Sequence, residues 1–195
     1  MNVKVISDFL PKPAFDEIQQ IVFSPGFKWN FSSSVTGEST VRRNKKLFLL
    51  HHLVYEKNAY NGEDPADQQI LQKLMFEGMY NARFQNYYDV MGKTLPKGQF
   101  LDIPNKEKLL RVKINFYPNT VVLEEHDYHI DYPNSNNGCL LSLNTCDGYT
   151  KIKETGKKYH SVENTLLHFD ASKEHCSTTT TNAVGRFNIN INYTK

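Results

Sequence analysis

Thiols are scarce in this sequence. Its three cysteines, Cys139, Cys146 and Cys176, are odd in number and form no CxxC pair. That argues against a disulfide framework and against a thiolate zinc site, and it points to a reducing, cytoplasmic setting. Long apolar runs are missing too. No stretch approaches the roughly 20 apolar residues of a membrane span, and the opening MNVKVISDFLPKPAF reaches Asp8 and two prolines before any apolar run develops. No signal peptide and no membrane partner are expected. Nor is there an excess of one charge: 23 Lys and Arg face 21 Asp and Glu, with the signs interspersed. Without a basic run, electrostatics make no case for nucleic acid. No repeat and no low-complexity segment is visible beyond the four threonines at 178–181.

What is present is enough for a core: 195 residues, 39% hydrophobic and 12% aromatic. We expect a single domain over 1–195. VKVIS reads as a short strand, and residues 11–22 as a helix with Phe15, Ile18 and Ile21 or Val22 on one face. Residues 27–37 and 46–55 are aromatic and β-branched enough for strands, with Trp29 half-buried. Asp64 and Pro65 form a helix start, and Ile70, Leu71, Leu74, Met75 and Met79 give a long helix a core-facing stripe. After a link at 93–108 the chain turns to β, with RVKINFY, YHIDY, CLLSLN, YTKI, TLLHF and RFNININY separated by Pro, Asn, Gly and Asp. Short strands at this spacing predict a sandwich or barrel.

The stretch EEHDYHIDYPN at 124–134 carries two histidines three apart and a carboxylate two beyond the second. Side chains two apart on a strand share a face, so His129 and Asp131 can reach one ion while His126 points elsewhere or sits in the preceding turn. A third ligand must come from a distant strand, and His175 in KEHCSTTTT is the candidate. Two imidazoles and one carboxylate on one face of an octahedron leave positions open, as in non-haem Fe(II) oxygen chemistry. HxD alone is a weak signal. It gains weight from GRFNININY, where Arg186, Asn188, Asn190 and Asn192 share one strand face. That face either meets solvent or lines a polar cavity, with Arg186 at its mouth, where a guanidinium can grip a carboxylate bidentately. His51, His52, His160 and His168 read as structural or exposed.

In the order NFYPN, HIDYPN, LSLN, DGYTKI, ENTLLHFD, His175 and GRFNINI, the chain resembles the Fe(II)- and 2-oxoglutarate-dependent oxygenases. The likeness is to the prolyl-hydroxylase-like branch, which includes members from marine bacteriophages. It spans residues 111–193, with a looser likeness in DFLPKPAFDEI and the long helix. It implies an α+β, mainly β fold: a double-stranded β-helix (jelly roll) over 109–195 that holds the metal site, with N-terminal packing helices and supporting strands in 1–108. It further implies His129, Asp131 and His175 on iron, Arg186 on the distal carboxylate of 2-oxoglutarate, and Tyr117 and Asn190 lining the cosubstrate pocket. Ser142 stands where some relatives have a tyrosine that bonds that carboxylate, so the contact is shortened or lost.

Nucleic-acid demethylase members carry a second arginine where this chain has Asn192, which disfavours that substrate. DGYT replaces the usual GGxT but keeps Gly148 and Thr150. The implied activity is hydroxylation of an unactivated C–H, of a prolyl, other peptidyl or amino-acid substrate, consuming 2-oxoglutarate and O2 and releasing succinate and CO2, with ascorbate as a reductant. A viral origin would place it in the host cytoplasm. The competing readings are a non-catalytic jelly-roll binding or structural protein with a vestigial metal site, and a cupin-like metalloenzyme, which would have no need of Arg186.

Overall fold

The computed structural model of the protein describes residues 3–35, 47–59, 64–75, 108–133 and 136–194. Ten strands and two helices are formed among them: β1 (Lys4–Ile6), α1 (Lys12–Val22), β2 (Asn30–Ser32), β3 (Leu49–Glu56), α2 (Pro65–Gln72), β4 (Leu109–Pro118), β5 (Asn136–Ser142), β6 (Tyr149–Ile152), β7 (Lys158–His160), β8 (Thr165–Asp170), β9 (His175–Cys176) and β10 (Gly185–Thr194).

A seven-stranded sheet runs β1-β8-β5-β10-β4-β3-β2, and a three-stranded sheet runs β7-β6-β9. All strand pairs are antiparallel. The extended segment ahead of β5 lies along β9 through bridges at Glu125 with Thr178 and His129 with His175. This is the expected mainly-β jelly roll, in which β6, β7 and β9 of the small sheet are interleaved in sequence with β5, β8 and β10 of the large one.

YHIDY is not a regular strand. It is an extended segment held at single points: His129 bridges His175, and the Asp131 amide donates to Ala171 O at 3.1 Å where the chain bends ahead of Pro133. The threonines at 178–181 behave likewise, with bridges only at Thr178 and Thr180. Of the strand expected over 27–37, the described residues 27–35 form only Asn30–Ser32, while β7 went unrecognised because KYH is too short to show alternation. The long helix is described as α2 and a following wider turn to residue 75. Met79 and most of the 93–108 link lie outside the described residues.

The helices form where the chain offers a start signal and one apolar face. In α1, Ala14, Phe15, Ile18 and Val22 are buried, and the Phe23 amide closes the end on Gln19 O at 2.8 Å. Asp64 caps α2 through the Ala66 amide at 2.9 Å, with Pro65 pre-set for the first turn. His52 contacts Lys28 O and Asp67 Oδ1, each at 2.7 Å, so it ties β3 to α2. No helix among the described residues is long and apolar enough to cross a membrane.

The alternation of β10 decides what lies where. Ile189, Ile191 and Tyr193 pack with Phe15, Ile18, Ile70, Ile114 and Leu141 under the helices. Arg186, Asn188, Asn190 and Asn192 face the space between the sheets and are buried as well. Of the two readings open for the asparagine face, the solvent-facing one fails, because the face is turned into the interior. A smaller apolar cluster of Ile152, Leu167, Phe169 and Ala171 also forms.

Candidate metal centre

His129 and His175 are brought together by the backbone. Each donates its amide to the other's carbonyl, both at 2.9 Å, which sets the two rings 4.5 Å apart between centroids. His175 Nδ1 lies 2.9 Å from Lys173 O, and His129 Nδ1 lies 3.4 Å from Asp127 O. A carbonyl only accepts, so Nδ1 of His175 is a donor here and Nε2 is the ring atom left for a metal. Those Nε2 atoms face one carboxylate: His129 Nε2 is 3.9 Å from Asp131 Oδ1 and His175 Nε2 is 4.0 Å from Asp131 Oδ2. One ligand atom from each of the three residues falls within 4.8 Å of the others. Spacing pairs His129 with Asp131, and the fold sets His175, the candidate third ligand, beside them.

The protonation states suit a cation. Burial, aided by His175, pushes His129 down to about 4, so it is neutral near pH 7. Burial opposes ionisation of Asp131, yet His175, Arg111, Asn192 and His129 together hold it below the usual carboxylate range. The carboxylate is oriented by neighbours from two further strands. Asn190 and Asn192 donate to Oδ2 at 3.1 and 2.9 Å, and Arg111 Nη2 approaches Oδ1 at 3.4 Å while donating to Asn192 Oδ1 at 3.0 Å. Arg111 also stacks on Tyr132, 5.3 Å from the ring centre. Beside it on the same face of β4, Lys113 is pushed down to about 8, chiefly by burial. His126 turns away: it is buried against the Tyr117 ring at 5.1 Å and its Nδ1 meets Ser177 Oγ at 2.8 Å.

Four residues before Asn190 on β10, about 13 Å along the strand, Arg186 forms a second polar centre. The side chain is 1% exposed, deep inside and not at the mouth. Its Nε donates to Ser161 Oγ at 2.6 Å and its Nη2 to Thr150 Oγ1 at 2.8 Å. Its buried Nη1 has no hydrogen-bond partner among the described residues. The Tyr117 ring flanks the guanidinium at 5.7 Å. Gly148 of the DGYT turn is required by this packing, since a Cβ there would lie 2.8 Å from Arg186 Cδ and 2.7 Å from Thr179 O. Ser142 is buried on β5 in register with Asn188, and both stand on the inner face.

The sequence reading missed Arg111, Lys113, Thr150 and Ser161, and treated Asn192 only as a departure from a nucleic-acid-binding pattern. Alternation gave a usable signal for Asn192, which shares its face with Asn190. Thr150 stood out only as part of DGYT and Ser161 not at all, because their contacts with Arg186 depend on how the small sheet meets the large one.

No protein-family profile matches the chain, and no curated protein matches it in sequence. Its fold is nonetheless that of solved 2-oxoglutarate oxygenases. A prolyl hydroxylase from Trichoplax adhaerens, in complex with a hypoxia inducible factor oxygen degradation domain peptide fragment, is 16% identical over 98% of this chain and 83% of its own, with a TM-score of 0.61. A 2OG-Fe(II) oxygenase family oxidoreductase from Burkholderia pseudomallei is 13% identical over 98% and 84%, with a TM-score of 0.58. The viral collagen prolyl hydroxylase from Paramecium Bursaria Chlorella virus-1 is 12% identical over 100% and 97%, with a TM-score of 0.54.

Proposed function

We propose that this protein is an Fe(II)- and 2-oxoglutarate-dependent dioxygenase that hydroxylates a C–H of a peptide or small-molecule substrate. The observation that carries the reading is the pairing of two centres inside one β-helix. One is a two-histidine, one-carboxylate set with its ligand atoms within 4.8 Å, and the other is a buried arginine with an unsatisfied N–H. The donor set suits Fe(II): imidazole and carboxylate ligands with no thiolate among them, leaving positions for other ligands. The orphaned Arg186 Nη1 suits a carboxylate, which only accepts and pairs with guanidinium geometry.

His129, Asp131 and His175 would hold the iron and Arg186 the distal carboxylate of 2-oxoglutarate, with Tyr117, Ser142 and Asn190 lining the space between. When bound, iron and 2-oxoglutarate together supply the oxidising power for C–H cleavage, with O2 as oxidant and succinate and CO2 as products. The chain supplies geometry and electrostatics. Asn190, Asn192 and Arg111 fix the Asp131 carboxylate, and the Lys173 carbonyl fixes the ring of His175. Thr150 and Ser161 hold the Arg186 fork in one orientation, and the Tyr117 ring flanks it. The likeness to prolyl hydroxylases, one of them solved with a peptide, supports a peptidyl substrate.

The test is anaerobic Fe(II) titration with and without 2-oxoglutarate, followed by air and ascorbate with succinate measured. A weak visible charge-transfer band that needs both additions, then succinate above a metal-free control, is expected. Iron binding with neither band nor succinate would favour a jelly-roll binding protein.

A further inference from the structure

The Arg186 end of the site is not closed. A cavity of about 360 Å³ is lined by Arg186, Thr150, Ser142, Leu140, Leu167 and Lys158. None of His129, Asp131 and His175 lines it, so the space lies beside the guanidinium and not at the metal. Its wall next to Arg186 is built of small residues: Ser142, in register with Thr165 and with Asn188, contributes only a hydroxyl. The lining also carries Lys157 and Lys158, whose amines sit over the Tyr159 and Tyr149 rings at 5.2 and 4.3 Å. A dianion therefore meets the positive charge of Arg186 and Lys157, while Glu125, 3.9 Å from the Lys158 amine, offsets part of the charge of Lys158.

Arg186 and Ser142 both line this cavity, so a carboxylate held by the guanidinium has unfilled room on the Ser142 side. Resting on the cosubstrate reading above, we propose that this site also takes 2-oxo dicarboxylic acids longer than 2-oxoglutarate, 2-oxoadipate first among them, with the added methylene housed in the cavity between Ser142, Leu140 and Leu167. A pocket closed around its ligand discriminates against one methylene by about 10- to 200-fold; an open one has nothing to clash.

The experiment is calorimetric titration of Mn(II)-loaded protein with 2-oxoglutarate and with 2-oxoadipate, which reads binding without turnover. The expected result is a Kd ratio below about tenfold. Leu167→Phe, which fills the cavity from β8 away from Arg186, should raise that ratio to about tenfold or more by weakening 2-oxoadipate selectively. Val162→Phe at the exposed mouth repeats the test should Leu167→Phe fail to fold. Wild-type protein that binds 2-oxoglutarate but rejects 2-oxoadipate by about tenfold or more overturns the proposal and leaves the cosubstrate reading standing. An unchanged ratio in a folded filling variant overturns the cavity assignment. Binding of neither acid by metal-loaded protein overturns the cosubstrate reading itself, and the proposal with it.

Discussion

Asn192 donates its side-chain amide to Asp131 Oδ2 at 2.9 Å, across 61 residues of sequence, and accepts from Arg111 at 3.0 Å. One asparagine therefore orients the only carboxylate of the candidate metal centre and also the cation beside it. Neighbours that orient a metal ligand commonly account for 10- to 100-fold in affinity. Asn192→Ala is expected to weaken Mn(II) or Fe(II) binding by about that much while leaving the fold intact. An unchanged metal Kd would show that Asn190 and Arg111 suffice to hold Asp131.

Arg186→Ala should weaken 2-oxoglutarate far more than metal. A charge-assisted contact of this kind contributes about 1.5 to 3 kcal/mol, or roughly ten- to a hundredfold in affinity. Arg186→Lys should rescue only part, because an ammonium cannot keep both the Ser161 and Thr150 contacts and a free edge for the ligand. Calorimetry of Mn(II)-loaded variants separates the two affinities; equal losses of metal and cosubstrate would point to a collapsed site.

The two histidines of EEHDYHIDYPN should part company. His129→Ala removes a proposed ligand, so metal stoichiometry should fall towards zero with little change in melting temperature. His126→Ala removes a buried ring stacked on Tyr117 and bonded to Ser177, so it should keep the metal and lose about 2 kcal/mol of stability. Iron analysis and melting curves run side by side decide the matter. A His126 variant without iron would reverse the ligand assignment.

Acid should find one weak point at the DGYT turn. Burial opposes ionisation of Asp147, but the Thr180 and Thr181 hydroxyls and nearby backbone amides outweigh it and bring the carboxyl down to about 2. Because the folded value lies below the ordinary 3.8, the carboxylate stabilises the fold fully above about pH 4, and that contribution fades as pH falls towards 2. Asp147→Asn should lower the melting temperature of metal-free protein at pH 7, and the gap to wild type should close between pH 4 and pH 2. A gap that stays constant with pH would assign the effect to shape and not charge.

Local periodicity carried the sequence a long way. The alternation of GRFNININY put four polar side chains on one face and four apolar ones on the other, and the HxD spacing aimed His129 and Asp131 together, because both are set by the two-residue repeat of an extended chain. What the repeat does not specify is the partner across the gap. Whether the asparagine face met water or a cavity depended on a second sheet folding over it. That His175 faces Asp131 depended on a reciprocal pair of backbone bonds to His129, across 46 residues. The orphaned edge of Arg186 arose only when Thr150 and Ser161, from separate segments, took its other donors. Those contacts are decided by strand order and register, which chain-distant pairing sets and no local pattern encodes.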